Sequence, residues 1–270
     1  MTATDPPNSP QQVPHQASYR TIEAVWSIER ARVIAGLTRL TRDVGLAEDL
    51  AQEALVAALE KWPKSGVPDN PAAWLTATAK RRAIDLFRRN AVAQRKHSEL
   101  ARELEALEQT SPDLDSTLDN TIGDDLLRLV FIACHPILPT ESRAALTLRL
   151  LGGLTTDEIA RAFLTPEPTI AQRIVRAKRT LADKHIPFEV PRGPELAARI
   201  SSVLEVIYLI FNEGYSATAG DDLMRPTLCE DALRLGRILA ELTPTEPEVH
   251  GRRLSAVRIL YAGVTRAPVG

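Results

Sequence analysis

The chain has 270 residues, of which 44% are hydrophobic and 4% aromatic, and its formal net charge is −2. This length allows one large domain or roughly two to three small domains with a buried core. The near-zero net charge, read alone, argues against a nucleic-acid binder, but an average conceals opposed patches. Ala, Leu and Arg dominate and alternating β-branched stretches are scarce, which predicts an all-α chain.

Charges of the two signs are segregated along the chain. An acidic stretch from about residue 99 to residue 125 separates two basic blocks and predicts a solvated tether. The first block comprises Lys80, Arg81, Arg82, Arg88, Arg89, Arg95 and Lys96, and the second comprises Arg173, Arg176, Lys178, Arg179 and Lys184.

The two cysteines and the apolar runs indicate the cellular compartment in which the protein is expected. Cys134 and Cys229 lie far apart without metal-ligand spacing, which favours buried thiols in a reducing compartment. The pair Cys134-His135 has no second pair beside it, so we expect no metal and no other cofactor. No signal peptide is recognisable, and the most apolar run, residues 203–211, is too short to span a bilayer. We therefore expect a cytoplasmic protein that does not bind a membrane.

The predicted elements of the first half are helices separated by polar joints. Residues 1–18 are rich in Pro, Gln and Ser and predict a disordered tail. A helix with apolar residues at helical spacing follows, and Gly45 marks the break before a second helix that ends near Trp62. After a loop, Asn70-Pro71 supplies an N-cap and a first-turn proline for a third helix.

In the second half, an acidic linker precedes two further helical regions. Two apolar stripes near the C-terminus predict a helical hairpin around a loop at residues 212–225. The first stripe comprises Leu196, Ile200, Val203, Leu204, Ile207, Tyr208 and Phe211, and the second comprises Leu228, Ala232, Leu235, Leu239 and Leu242.

The most specific pattern, in residues 138–181, predicts a helix-turn-helix. A first helix ends at Gly152-Gly153, and residues 155–158 form a capping box that opens a short helix. Thr165-Pro166 is then expected to cap and start a longer helix after a tight turn.

The longer helix has an apolar face and a basic face. Its core face is expected to contain Ile170, Ile174 or Val175, and Leu181. The other face presents Gln172, Arg173, Arg176 and Arg179. Arg bonds guanine bidentately and Gln pairs with adenine, so this face suits the major groove. A solvated face on a structural helix is the alternative, but the capped short helix and the turn in register favour DNA binding.

Residues 138–181 resemble region 4 of bacterial RNA polymerase sigma factors of the extracytoplasmic-function (ECF) type, which reads the −35 promoter element. The resemblance rests on Leu138-Pro139, on Gly-Leu-Thr-x-x-Glu-Ile-Ala at residues 153–160, and on Thr-Ile-x-x-Arg-x-x-Arg-Ala-Lys-Arg at residues 169–179. It implies that the −35 contacts are made by Thr165, Glu167, Thr169, Gln172, Arg173, Arg176, Lys178 and Arg179.

The N-terminal half is what separates a sigma factor from a repressor with the same motif. Residues 47–54 resemble the polymerase-binding helix of sigma region 2. The resemblance implies that core RNA polymerase is bound at its β′ clamp, with the β flap as a second contact, and that the clamp contacts are Asp49, Gln52, Glu53 and Val56. The alternative is a solvated acidic face at helical spacing.

Residues 74–85 resemble the part of region 2 that opens and reads the −10 element. Cations can follow the backbone of melted DNA while an aromatic surface stacks an exposed base, and the preceding loop would receive a flipped base. Trp74 as a core residue and Asp85 as an ion-pair partner of Arg81 or Arg88 are the alternatives. Many family members carry Asn where Arg81 stands. The implied −10 contacts are Asn70, Trp74, Thr78, Lys80, Arg81, Arg82, Asp85 and Arg88.

Residues 206–215 resemble the start of a tetratricopeptide-like C-terminal extension found in one subgroup of these sigma factors. A short helical hairpin would be only marginally stable unless it docks on the sigma domains, and it is a candidate surface for a regulatory partner.

The expected architecture is a disordered tail at 1–18, region 2 at 19–97, an acidic linker at 98–123, region 4 at 124–186 and a shortened extension at 187–270.

Three classes of function are compatible with parts of these patterns. A sigma factor would bind core polymerase and promoter DNA, whereas a helix-turn-helix regulator would act without joining the polymerase. The regulator does not need a Trp-plus-basic helix beside a polymerase-docking helix. An enzyme is disfavoured because residues 212–215 and 220–222 lack a paired base or a nucleophile, so no catalytic residue is assigned.

Overall fold

The computed structural model describes residues 12–93, 125–216 and 226–242. Within those residues all regular structure is helical, which confirms the predicted all-α class. The same part of the chain contains no helix long and apolar enough to cross a bilayer. The acidic linker predicted at residues 98–123 lies outside the described residues.

The N-terminal unit consists of three helices around one core. They are α1 (Gln12–Thr41), α2 (Val44–Ser65) and α3 (Pro71–Ala93). Leu37, Leu50 and Leu75 are almost fully buried where the three helices meet. Helix α1 begins at Gln12, within the segment assigned to the N-terminal tail.

The break between α1 and α2 lies before Gly45 rather than at it. Arg42 has a positive φ of 56°, and the Asp43 side chain accepts hydrogen bonds from the N–H groups of Gly45 (2.7 Å) and Leu46 (3.0 Å). Gly45 is therefore in the first turn of α2. An aspartate N-cap determined this boundary, and the glycine did not.

Helix α3 begins as the sequence predicts. Asn70 Oδ1 accepts a hydrogen bond from the N–H of Ala73 at 3.0 Å, and Pro71 is the first helical residue. Helix α2 continues to Ser65, slightly beyond the predicted end at Trp62, so the connecting loop is short.

The second unit contains the helix-turn-helix and a C-terminal hairpin. Its elements are α4 (helical at residues 125–133), α5 (Thr140–Thr147), a π-helical turn (Leu148–Gly152), α6 (Thr156–Ala162), α7 (Glu167–Asp183), α8 (Pro194–Ser216) and α9 (Pro226–Leu242). Helices α8 and α9 pack on each other, and we call this pair the C-terminal hairpin.

Most of the predicted hairpin stripes are buried. One correction concerns Tyr208, which is 46% exposed. Helix α8 also continues to Ser216, past the predicted start of the loop. The side chains of Leu228 and Leu242 lie outside the described residues. The buried members are Ile200, Val203, Leu204, Ile207, Phe211, Ala232, Leu235 and Leu239.

The C-terminal hairpin docks on the helix-turn-helix unit through hydrogen bonds to backbone carbonyls. Arg199 donates to the carbonyl oxygen of Phe131 at 2.8 Å, and the Ser202 hydroxyl donates to that of Cys134 at 2.6 Å. Arg234 donates to the carbonyl oxygens of Leu151 and Gly152 at 3.2 and 3.1 Å. A short helical hairpin is expected to be stable only if it docks on the rest of the protein, and these hydrogen bonds show that it does.

The cysteines behave as core thiols. Cys134 is buried with its Sγ 3.3 Å from the Thr147 hydroxyl, and Cys229 is also buried. Burial raises the pKa of the Cys134 thiol to about 11, so it stays protonated at neutral pH. The predicted buried-thiol role is confirmed.

Arg199 tests how much the docked hairpin contributes to stability. Replacing it with Met leaves the Phe131 carbonyl oxygen buried without this donor, which costs about 1–3 kcal/mol of unfolding free energy. The matched control, Arg237→Met, removes an exposed arginine of α9 and is expected to stay within about 0.5 kcal/mol of the wild type. Urea denaturation of both variants measures the difference, and equal stabilities would contradict the docking role of Arg199.

Candidate nucleic-acid interface

The turn that enters the helix-turn-helix is built from a left-handed glycine and a capping box. Gly153 has a φ of 81° and ends the π-helical turn. The Thr155 hydroxyl accepts a hydrogen bond from the Glu158 N–H at 3.2 Å, and the Glu158 carboxylate accepts one from the Thr155 N–H at 2.7 Å. The Thr155 hydroxyl also donates to that carboxylate at 2.9 Å, and the two hydrogen bonds that the carboxylate accepts from Thr155 lower the pKa of Glu158. The predicted capping box is confirmed.

The start of the recognition helix α7 differs from the prediction. The Thr165 hydroxyl donates to the carbonyl oxygen of Phe163 at 3.0 Å, so it closes the turn and does not cap α7. Pro166 occupies the N-cap position without a side-chain hydrogen bond, and the helix begins at Glu167. The neighbouring Leu164 has a φ of 47° and is 83% exposed. The Thr165-Pro166 cap was therefore a wrong prediction.

Helix α7 has one buried face and one solvent-facing face. The buried face comprises Ile170, Ile174, Ala177 and Leu181, whereas Val175 is 63% exposed. This resolves the alternative that the sequence left open in favour of Ile174. The exposed predicted −35 contacts are Glu167, Thr169, Gln172, Arg176 and Arg179, and those half-buried are Thr165, Arg173 and Lys178.

Lys178 points away from that solvent-facing surface. Its Nζ forms an ion pair at 2.5 Å with Oε2 of Glu48, which lies on α2 in the N-terminal unit. Glu48 is 2% exposed, and its Oε1 accepts hydrogen bonds from Arg149 Nε (2.6 Å) and Arg30 Nη2 (3.3 Å). We call these four residues the Glu48 cluster. Sequence reasoning missed it, although Glu48 interrupts an otherwise apolar stripe of α2 and could have been noticed.

Trp74 lies between a core role and a surface role. Its half-buried ring meets the buried Trp62 edge-on, with the centroids 5.3 Å apart and an interplanar angle of 70°. The ammonium nitrogen of Lys61 is 5.9 Å from the Trp74 ring centroid. Packing against Trp62 fixes the ring orientation while part of its surface stays accessible. Lys61 is a neighbouring cation that the sequence analysis did not single out.

The predicted −10 residues form a polar surface of α3 and its N-terminus. Asn70 uses its side-chain oxygen as the helix cap. Arg82 Nη1 lies 2.6 Å from Oε2 of Glu53. This ion pair joins the surface to α2, where Glu53 is one of the predicted polymerase-binding residues. Lys80, Arg81, Asp85 and Arg88 are exposed, and Thr78 is half-buried.

The predicted polymerase-binding residues lie on the open side of α2. Asp49, Glu53 and Val56 are exposed, with Val56 at 51%, and Gln52 is half-buried. The buried residues of the same helix include Leu50 and Ala54, which turn inward as expected. A largely acidic surface with one exposed valine is available to a partner protein.

Comparisons with known proteins give the family. Residues 28–92 match the family model Sigma-70 region 2, residues 128–181 match Sigma-70, region 4, and residues 199–262 match a family of unknown function, DUF6596. The chain is 31% identical over 156 residues to the ECF RNA polymerase sigma factor SigK of Mycobacterium ulcerans, covering 56% of this chain and 78% of that protein. This chain belongs to the ECF sigma factors.

Two further relatives extend the comparison. An uncharacterized protein of Rhizobium meliloti is 41% identical to this sigma factor over 241 residues, covering 88% of this chain and 56% of that protein. A probable ECF RNA polymerase sigma factor SigI of Mycobacterium tuberculosis is 25% identical over 171 residues, covering 63% of this chain and 57% of that protein. The sigma factor thus spans little more than half the length of the Rhizobium relative. Sigma factors are transcription initiation factors without a catalytic role of their own.

The capping box provides a pH-dependent test of the sigma factor's region 4. Thr155→Ala removes the cap and is expected to cost about 1 kcal/mol at pH 7. Because the pKa of Glu158 is lowered in the folded state, its contribution is present above its unfolded pKa of about 4.3 and is lost as pH falls through the lower folded value.

The stability difference between wild type and Thr155→Ala should therefore narrow below about pH 4. Urea denaturation at neutral and acid pH measures it. Thr156→Ala, at the adjacent position, is the matched control and is expected to be close to wild type. The Thr155 N–H still donates to Glu158 in this variant, so a difference that does not change with pH would show that the hydrogen bond from the Thr155 hydroxyl makes no pH-dependent contribution.

Proposed function

We propose that this sigma factor binds core RNA polymerase and directs promoter recognition by reading the −35 element as duplex and the −10 element as melted DNA. The observation that carries the proposal is the pair of linked surfaces on α2 and α3. An exposed acidic and apolar face adjoins a cationic helix with a half-exposed tryptophan, and Glu53 and Arg82 connect them. A regulator that acts without the polymerase requires neither surface.

The polymerase contact is assigned to the open side of α2. Asp49, Gln52, Glu53 and Val56 would dock on the β′ clamp, and region 4 would contact the β flap. Val56 supplies an apolar anchor that becomes desolvated, and the carboxylates supply charge complementarity to a basic partner surface. Promoter DNA is the second partner, and the C-terminal hairpin is a surface for a regulatory one. This function implies a cytoplasmic protein.

The −10 contact is assigned to the N-terminal part of α3. Trp74 is held by Trp62, so its accessible surface can stack an unpaired base without first ordering the side chain. Lys80, Arg81 and Arg88 would bind the phosphates of the separated strand, since their side chains on α3 are exposed. The loop before Asn70 would receive a flipped base.

The −35 contact is assigned to the solvent-facing side of α7. Arg173 and Arg176 would reach base edges in the major groove, where a bidentate arginine–guanine pair discriminates by about 1–3 kcal/mol. Thr165, Glu167, Thr169 and Arg179 would position the helix or neutralise nearby phosphates, as the remaining polar residues of such helices do. The proposed domains are region 2 at 19–97, the linker at 98–123, region 4 at 124–186 and the extension at 187–270.

Open-promoter formation with core polymerase tests the two DNA readers separately. Arg173→Ala is expected to reduce open complexes about 5- to 150-fold on a duplex promoter selected from a library. Trp74→Ala is expected to reduce them by a similar factor, because base–aromatic stacking is worth about 1–3 kcal/mol per base. The measurement is permanganate reactivity of unpaired thymines.

A promoter with a pre-melted −10 element separates the two defects. Trp74→Ala should recover partly on this template and Trp74→Phe largely, whereas Arg173→Ala should stay defective. The control Arg237→Ala removes an exposed arginine outside both readers and should behave as wild type. Protein that binds duplex DNA alone and never supports initiation would replace this proposal with a polymerase-independent regulator.

Val56 tests the polymerase face. Val56→Glu is expected to weaken binding to core polymerase by about tenfold or more, because a charge would be desolvated at an apolar anchor. Ile28→Glu is the matched control, since Ile28 on α1 is another large apolar side chain with 65% exposure outside the proposed face. Fluorescence anisotropy with labelled sigma factor measures both dissociation constants, and equal losses would contradict the assignment.

A further inference from the structure

The Glu48 cluster joins regions 2 and 4 through a buried carboxylate. Glu48 and Arg30 belong to region 2, whereas Arg149 and Lys178 belong to region 4. A second ion pair crosses the same boundary, because Arg39 Nε of α1 lies 3.0 Å from Oδ2 of Asp125 in α4. Two buried carboxylates, one from each unit, therefore hold the units together.

Electrostatics favours the ionised form of Glu48 at this contact. Burial alone would raise the pKa of its carboxyl, but the charges of Lys178, Arg149 and Arg30 outweigh burial and hold that pKa below its ordinary value. Burial and the nearby Arg149 lower the pKa of Arg30 to about 10. Three cations surround a single carboxylate, so its removal would leave uncompensated positive charges at the boundary.

The contact also brings the two proposed DNA readers close together. Glu48 touches Lys178 of the −35 reader, and Trp62 on the same helix touches Trp74 of the −10 reader. Glu48 and Trp62 are 14 residues apart in α2, or about 21 Å along its axis. The names of the promoter elements place them about 25 base pairs apart, or about 85 Å in B-form DNA.

We propose that Glu48 is an interdomain latch that holds the free sigma factor closed, and that regions 2 and 4 must separate before both promoter elements are read. This inference rests on the proposed function. In the closed form Lys178 is engaged by Glu48, and on opening its ammonium group becomes free to bind a phosphate. The proposed polymerase face of α2 stays exposed in the closed form, so the latch does not cover it.

A disulfide between regions 2 and 4 can trap the closed form. A Cβ atom placed on Gly45 lies 3.9 Å from the Cβ of Lys178, within the range of about 3.5–4.5 Å found in disulfides. The new Cβ also lies 3.1 Å from Asp43 Oδ1, which must shift by a few tenths of an ångström. Cys134 and Cys229 are buried and do not compete.

The experiment compares the oxidised and reduced forms of the Gly45→Cys/Lys178→Cys variant. The cross-link should form in the free folded protein much faster than in Gly45→Cys/Tyr208→Cys, whose second site is exposed elsewhere. The oxidised form should give at least about tenfold fewer open complexes than the reduced form, and reductant should restore them. Because both forms lack the Lys178 amine, its loss cancels in the comparison.

The other possible outcomes distinguish between the latch, the docking of regions 2 and 4, and the proposed function. Oxidised protein that initiates as well as reduced protein would overturn the latch while the proposed function stands. A cross-linking rate no faster than in the control pair would overturn the docked arrangement in solution. Wild-type protein that never supports initiation would remove the proposed function itself, and the cross-linking rate would still decide whether regions 2 and 4 dock.

Glu48→Gln in the double-cysteine background tests the carboxylate directly. Cross-linking should slow by about tenfold or more, because Lys178 is already replaced in this background and Arg30 and Arg149 then face each other without an anion. Glu60→Gln, at an exposed position of the same helix, is the matched control and should leave the rate unchanged. Helical circular dichroism verifies that both variants are folded, and equal rates in folded variants would exclude Glu48 as the latch.

Discussion

A buried carboxylate surrounded by three cations determines how the two halves of this sigma factor meet. Arg30 is contributed by the same unit as Glu48, and Arg149 and Lys178 come from the other. Burying these charges is costly unless each is paired, so the arrangement is specific rather than a generic apolar contact. The recognition helix thereby has two surfaces with different partners, one facing solvent and one facing region 2.

The fold was largely predictable because its signals are local. Helical periodicity, the capping box at Thr155 and the N-cap at Asn70 act within a few residues, and the structure reproduces them. Boundaries failed where two local signals competed. Asp43 determined a helix start that glycine suggested elsewhere, and the Thr165 hydroxyl closed a turn instead of capping a helix.

The candidate site could be proposed from the sequence as a set of residues but not as an arrangement. Family resemblance implies positions that would face DNA or polymerase, and most of them are at least partly exposed. Spacing along the chain could not reveal that Lys178 reaches Glu48, because the two residues are distant in sequence and meet only after regions 2 and 4 pack. The same applies to Trp62, whose packing orients Trp74.

The hydrogen bonds from Arg234 have a consequence for how this protein can be recombined. They satisfy the last carbonyl groups of the π-helical turn, immediately before the glycine that opens the helix-turn-helix. A chimera that grafts residues 128–181 onto another sigma factor would lose these donors, together with those of Arg199 and Ser202. A segment for transfer would therefore run from α4 through α9, so that the hairpin keeps its hydrogen bonds to region 4.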